Sequence, residues 1–221
     1  MNPRLAALAT TFTAAALAAA SAQKPPASLP MGGKKSVTSF FTTSRGPGRG
    51  GNLGGLAGAD AHCQALAKKE GSGDHAWRAY LSTMATASAP AVNARDRIGT
   101  GPWYNALGDR IAMNLQDLHG GRNAINLENA VTEKGDMVTP EEHDILTGSR
   151  ADGTAYPGTG DLTCGNWTSS GRGRAQVGHV DRKGGTAADR SWNSAHATRG
   201  CSQDDFTSTG SAGLFYCFAV D

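Results

Sequence analysis

Four cysteines constrain this chain more than any other feature. They stand at positions 63, 164, 201 and 217 of 221 residues. An even number in a chain with export features reads as two disulfides, which tie remote segments together and limit the topologies that can close. Four cysteines allow three pairings, and their spacing does not choose among them. A zinc framework competes poorly, because no two cysteines have CxxC spacing and no histidine lies three to five residues from another. The even count also argues against a catalytic thiol.

The export features lie at the start. Residues 1–22 read MNPRLAALATTFTAAALAAASA. Arg4 and the amino terminus are positive, Leu5 to Ala20 is apolar and uncharged, and Ala20-Ser21-Ala22 fits the small-x-small cleavage rule. The pattern predicts a signal peptide cleaved near Ala22 and a secreted or periplasmic protein. The run is alanine-dominated and shorter than the ~20 residues a span needs, which disfavours a membrane anchor. No cysteine follows the cleavage site, which disfavours a lipid anchor, and no other stretch approaches a membrane span. Residues 23–36, rich in Pro, Gly and Lys, are expected to form a flexible leader. Residues 37–221 then form one domain.

That domain has little apolar material. Hydrophobic residues make up 38% of the chain and aromatics 6%, and the 30 glycines are nearly twice the ~7% average. A loop-rich fold with covalent support is expected. Val37–Thr43 reads as a strand. Six glycines between Arg45 and Gly55 read as a loop. Gly58–Gly71 reads as a helix, with Ala59, Cys63, Leu66 and Ala67 on one face, Asp60 in the first turn, and Lys68 and Lys69 in the last. Trp77–Ser82 looks extended, and Arg110–Leu115 a short strand. Later come short apolar patches between turns: Ile145–Ser149, with a hairpin signal at Asp152-Gly153, then Cys164–Thr168, Ala175–Asp181, Ser191–His196 and Leu214–Val220. One early helix and many late strands predict an α+β fold with an antiparallel sheet.

The order of these segments resembles the C-type-lectin-like fold, and specifically its endostatin-like branch. The residues that carry the likeness are the helix GADAHCQALA with Cys63, the Arg78-Ala79-Tyr80-Leu81-Ser82 strand, Thr147-Gly148-Ser149 with Gly153, Cys164 to Trp167, SWNSAH, and the closing FYCFA with Cys217. The resemblance covers about residues 37–221. It implies a twisted antiparallel sheet with long loops and two nested disulfides, Cys63–Cys217 and Cys164–Cys201. It also implies a non-catalytic recognition module for an extracellular ligand, a glycan or a surface protein. A cell-envelope interaction protein without a small ligand is the alternative, and an envelope-polymer hydrolase a third reading.

The chemistry-bearing residues agree with a non-enzyme. There is no GxSxG, HExxH or P-loop motif, and Gly46–Gly51 lacks the strand–helix setting of a phosphate loop. Glu141-Glu142-His143-Asp144 reads as a solvated loop before a strand. Sugar-binding C-type lectins hold calcium with a Glu-Pro-Asn or Gln-Pro-Asp loop and a Trp-Asn-Asp segment. This chain has Trp192-Asn193-Ser194 and neither loop, so no cofactor is expected and calcium is doubtful. Trp192 reads first as a core aromatic. The histidine-rich zinc leader of endostatins is absent, since no histidine precedes His62. Asp152, His179, Asp181, Trp192, Asn193 and His196 remain as candidate ligand contacts, with His179, Asp181 and His196 expected to cluster if their strands pair. Arg172, Arg174, Arg182, Lys183, Arg190 and Arg199 share their span with only two acids, Asp181 and Asp189, and form a candidate patch for acidic polysaccharide. A net charge of +2 is too small for a nucleic-acid binder. The domain is expected to be monomeric.

Overall fold

The computed structural model describes residues 35–221. The signal peptide expected at residues 1–22 and nearly all of the expected leader lie outside the described residues. The rest is a mixed α+β domain with small antiparallel sheets and two disulfides. In chain order its main elements are β1 (Phe40–Thr42), α1 (Gly55–Lys69), β2 (Trp77–Ala79), β3 (Trp103–Tyr104), β4 (Arg110–Ala112), α2 (Leu115–His119), β5 (Asp144–Leu146), β6 (Gln176–His179), β7 (His196–Ala197) and β8 (Tyr216–Ala219). A further short helix spans Gln203–Thr207.

The last strand organises the core. β8 lies between β1 and β2, antiparallel to both, with Cys217 opposite Phe41 and Ala79. Successive side chains of a strand point to opposite faces. Phe215, Cys217 and Ala219 therefore join one buried cluster, with Phe41, Trp77, Leu66 and Trp167. Tyr216 and Phe218 join the other, with Phe40, Tyr80, Trp103, Ile145 and Trp192. Every residue of β8 is buried, as a strand covered on both faces must be. A scarce set of aromatics thus serves two cores through one strand.

The disulfides join Cys63 to Cys217 and Cys164 to Cys201. The first ties the buried face of α1 to β8, and the second ties the loop after residue 160 to the segment beyond β7. Gly51 allows the second bridge to sit against the glycine loop, since a Cβ there would fall 2.4 Å from that of Cys164.

Some local expectations change. α1 starts at Gly55, so Asp60 lies beyond the first turn. Its side chain is buried, receiving the Ala79 amide at 2.9 Å and two hydrogen bonds from Arg97 at 2.7 and 2.9 Å, so it locks the helix to β2 instead of serving the dipole. Cys164–Trp167 is a left-handed turn, with φ of 49°, 62°, 55° and 66°. Non-glycine residues pay about 1–2 kcal/mol each for that conformation. Asn166 offsets some of the cost by bonding both the amide and the carbonyl of Met84, and the Trp167 indole donates to Ser82 O at 2.7 Å. The turn at Arg150–Thr154 forms, but it closes only a bridge between Ser149 and Ala155, and β5 pairs with β6.

Candidate functional site

The second sheet, β5-β6-β7, brings together residues far apart in sequence. Asp144 opens β5 directly opposite His179 of β6, and Val177 pairs with His196 of β7. His143 precedes Asp144 and ends the 3-10 turn Pro140–Glu142. The result is one carboxylate ringed by three imidazoles. His179 Nε2 is 3.1 Å and His143 Nε2 3.5 Å from Asp144 Oδ1, and His196 Nε2 is 3.4 Å from Oδ2. The imidazole rings meet edge to face at 4.9 Å, His143 on His179 and His179 on His196.

Burial is graded across this cluster. Asp144 is fully buried, His179 nearly so, and His143 and His196 reach solvent, with side-chain exposures of 28% and 38%. Each imidazole is also anchored on its outer side. Nδ1 of His143 lies 2.7 Å from Pro140 O, that of His179 3.0 Å from Lys183 O, and that of His196 3.3 Å from Ala197 O. A carbonyl only accepts, so each Nδ1 carries the proton and Nε2 faces Asp144.

The electrostatics follow from this geometry. The Asp144 carboxylate holds the His179 proton up to about 9, against burial, which lowers it. It raises His196 as well, again against burial. Burial of Asp144 favours its neutral form, but His179 and His196 together hold its carboxyl below the usual range. Yet both carboxylate oxygens and His179 Nε2 lack a hydrogen-bond partner. The atoms are close enough for ion pairing, but the ring N–H is not aligned on the oxygen.

The cluster corrects two expectations. Glu141–Asp144 is not merely a solvated loop, because its last residue is among the most buried polar groups. His179 and His196 do converge, but on Asp144; Asp181 instead accepts the Lys183 amide through its side chain. Nothing local in the sequence marks Asp144. The sequence reading left it in the loop before the Ile145–Ser149 patch, and the structure makes it the first residue of β5.

A second feature is a surface cleft of about 200 Å³ lined by His119, Asn123, Arg182, Arg190, Trp192 and Asn193. Its floor is a relay of hydrogen bonds. Asn193 Nδ2 donates to Tyr80 Oη at 2.9 Å, which lies 2.8 Å from His119 Nε2, while His119 Nδ1 faces Leu115 O at 2.9 Å. Burial keeps the Tyr80 phenol protonated far above its ordinary range and pushes the His119 imidazolium down, so Tyr80 donates to a neutral ring. Trp192 packs on Tyr80 and Tyr216, with 3% exposure, as a core aromatic. Asn193 also donates to Arg150 O and Ala151 O and accepts from Ser191, which leaves its side chain little capacity for a ligand. Asp152 bonds within its own turn, to the Thr154 amide and hydroxyl.

The basic residues do not form one patch. Antiparallel pairing of β6 with β7 puts Arg172, Arg174 and Arg199 at one end of β6. Arg182, Lys183 and Arg190 lie at the other end, where Arg182 and Arg190 line the cleft. There Arg182 donates to Asn123 Oδ1 at 3.1 Å and to Arg190 O at 3.3 Å, and Arg190 donates to Gly184 O at 3.0 Å. Among the described residues, neither guanidinium pairs with a carboxylate. No helix of the described residues is long and apolar enough to cross a membrane. Compared with known proteins, the chain matches no family model and no curated relative.

Proposed function

We propose that this chain is an exported, non-catalytic recognition domain of the C-type-lectin-like kind, which binds an acidic extracellular glycan at the Arg182–Arg190 cleft. The observation that carries this reading is the state of the two guanidiniums. Both line the cleft and are held by carbonyl or amide oxygens, and among the described residues neither is neutralised by a carboxylate. A planar guanidinium left with free donors suits bidentate contact to carboxylate or sulfate groups. The lectin-like fold belongs to the same proposal. It is supported by the two nested disulfides, which are the pairing that the resemblance implies.

The two ends of β6 provide the test. The mature protein should be retained on immobilised heparin above physiological salt. The Arg182→Ala/Arg190→Ala double variant should lose that retention, and Arg172→Ala/Arg174→Ala/Arg199→Ala should keep most of it. Elution of the wild type at or below physiological salt would remove the proposal. Equal losses in both variants would reduce it to nonspecific charge attraction.

A further inference from the structure

We propose that His143, Asp144 and His179 form a binding site for one divalent first-row transition-metal ion of the zinc class, with His196 as the residue that positions the carboxylate. This site is independent of the glycan reading and uses none of the cleft residues.

The spacing is the first argument. One donor atom from each of His143, Asp144 and His179 can be chosen so that all three lie within 4.8 Å of one another. From Oδ1 the two Nε2 atoms stand at 3.1 and 3.5 Å. Ligands about 2.0–2.1 Å from a tetrahedral zinc ion are separated from each other by about 3.3 Å. Oδ1 therefore already stands near the separation from each nitrogen that a shared ion would impose.

The orientation is the second. Histidine ligands of metals usually give their outer N–H to a carbonyl or carboxylate, which fixes the tautomer and turns the other nitrogen inward. All three histidines have this outer anchor on a backbone carbonyl.

The third is the unsatisfied chemistry. Asp144 is completely buried, and neither of its oxygens nor His179 Nε2 has a hydrogen-bond partner. A buried carboxylate is normally hydrogen-bonded on both oxygens, and this one is bonded on neither. At 3.1 Å, Asp144 Oδ1 and His179 Nε2 are close enough for a hydrogen bond, and it is misalignment that leaves both without one. A cation between Oδ1 and the two facing Nε2 atoms would satisfy Oδ1 and His179 Nε2, with Oδ2 left to His196.

The framework and donor types complete the case. Asp144 and His179 are cross-strand partners in the sheet, so β pairing sets their separation and no flexible loop does. Two imidazoles and one carboxylate suit zinc and its first-row neighbours, whereas calcium and magnesium need mostly oxygen donors. Three protein ligands leave a position open, and the exposed side of the cluster, toward His196, is where solvent can reach it.

The experiment uses the full mature protein, stripped with chelator and titrated with zinc(II) alone by calorimetry, with bound metal counted after desalting. One equivalent is expected, together with a raised melting temperature. Cobalt(II) in its place should give the visible absorption of a low-symmetry, nitrogen–oxygen site. His143→Ala and His179→Gln should each lower affinity by more than ~100-fold, beyond the 10–100-fold that loss of an outer-shell partner causes. His196→Ala should fall within that smaller range, and His62→Ala should have no effect. His143 is partly exposed, so its variant is expected to fold even if Asp144→Asn does not. Absence of retained zinc in the wild type would overturn the proposal. So would one equivalent of zinc that survives both His143→Ala and His179→Gln.

Discussion

Asp144 and His179 face each other across β5 and β6, with carboxylate oxygen and imidazole nitrogen 3.1 Å apart and the carboxylate fully buried. Thirty-five positions separate them in sequence, yet they are direct neighbours in the sheet. The pairing puts a charged group where a strand would normally bury an apolar one. The sheet rigidifies that group, and His143 and His196 come from its flanks.

The two disulfides are unequal supports. They enclose sequence separations of 154 and 37 residues, and the chain-entropy model gives about 5 and about 4 kcal/mol as upper values. Both are comparable with the ~5–15 kcal/mol of a typical domain. Cys63→Ser/Cys217→Ser should therefore lower the urea midpoint at least as far as Cys164→Ser/Cys201→Ser, and full reduction should unfold the domain. Native-like circular dichroism after reduction would refute this.

Asp60 contributes through its partners. Arg97 is nearly buried, with 11% side-chain exposure, and Asp60 is its carboxylate partner, whereas Arg78 is half exposed. Removing one member of a buried pair typically costs about 3–5 kcal/mol, but an exposed pair only ~0–1 kcal/mol. Asp60→Asn should therefore destabilise severely and Arg78→Ala only slightly. Equal effects in denaturant titrations would show that Arg97 finds another partner.

Gly178 is required by a close approach of two backbones. A Cβ there would lie 2.0 Å from the carbonyl oxygen of Trp192 and 2.2 Å from its carbon. Neither backbone atom can swing aside as a side chain could. Gly178→Ala should cost at least the 1–3 kcal/mol of ordinary overpacking, and it should separate β6 from the Trp192–Asn193 segment. Tryptophan fluorescence should shift to longer wavelength. An unchanged spectrum and midpoint would contradict the packing.

Asp221 carries a pH dependence of known sign. Lys35 holds its carboxyl down to about 2, helped by the Ala76 amide and His75, while burial opposes them. A depressed folded-state carboxyl stabilises above its unfolded value near 3.8 and loses that contribution as pH falls through about 2. The wild type should therefore exceed Asp221→Asn in stability by a constant amount above about pH 5, and the gap should close between about pH 4 and 2. The carboxylate is partly exposed, so screening keeps the gap small. A gap that widens on acidification would reverse the assignment.

Local pattern alone determined much of this protein. The apolar face of α1, with Ala59, Cys63, Leu66 and Ala67, repeats at helical spacing and is buried as that spacing requires. The runs around Phe40, Trp77, Val177 and Phe218 have strand chemistry and form strands. The even set of cysteines pointed to cross-links, and all four are paired. The tertiary structure decided what depends on meeting in space. It chose β6 as the partner of β5, sent the basic residues to opposite ends of one strand, and turned Cys164–Trp167 left-handed under the constraint of a disulfide and of Asn166. It also made Asp144 the most enclosed charge among the described residues, at the focus of three histidines. No spacing rule could reveal that cluster, since its members come from β5, the turn before it, β6 and β7, and meet only when hydrogen-bond register aligns the strands.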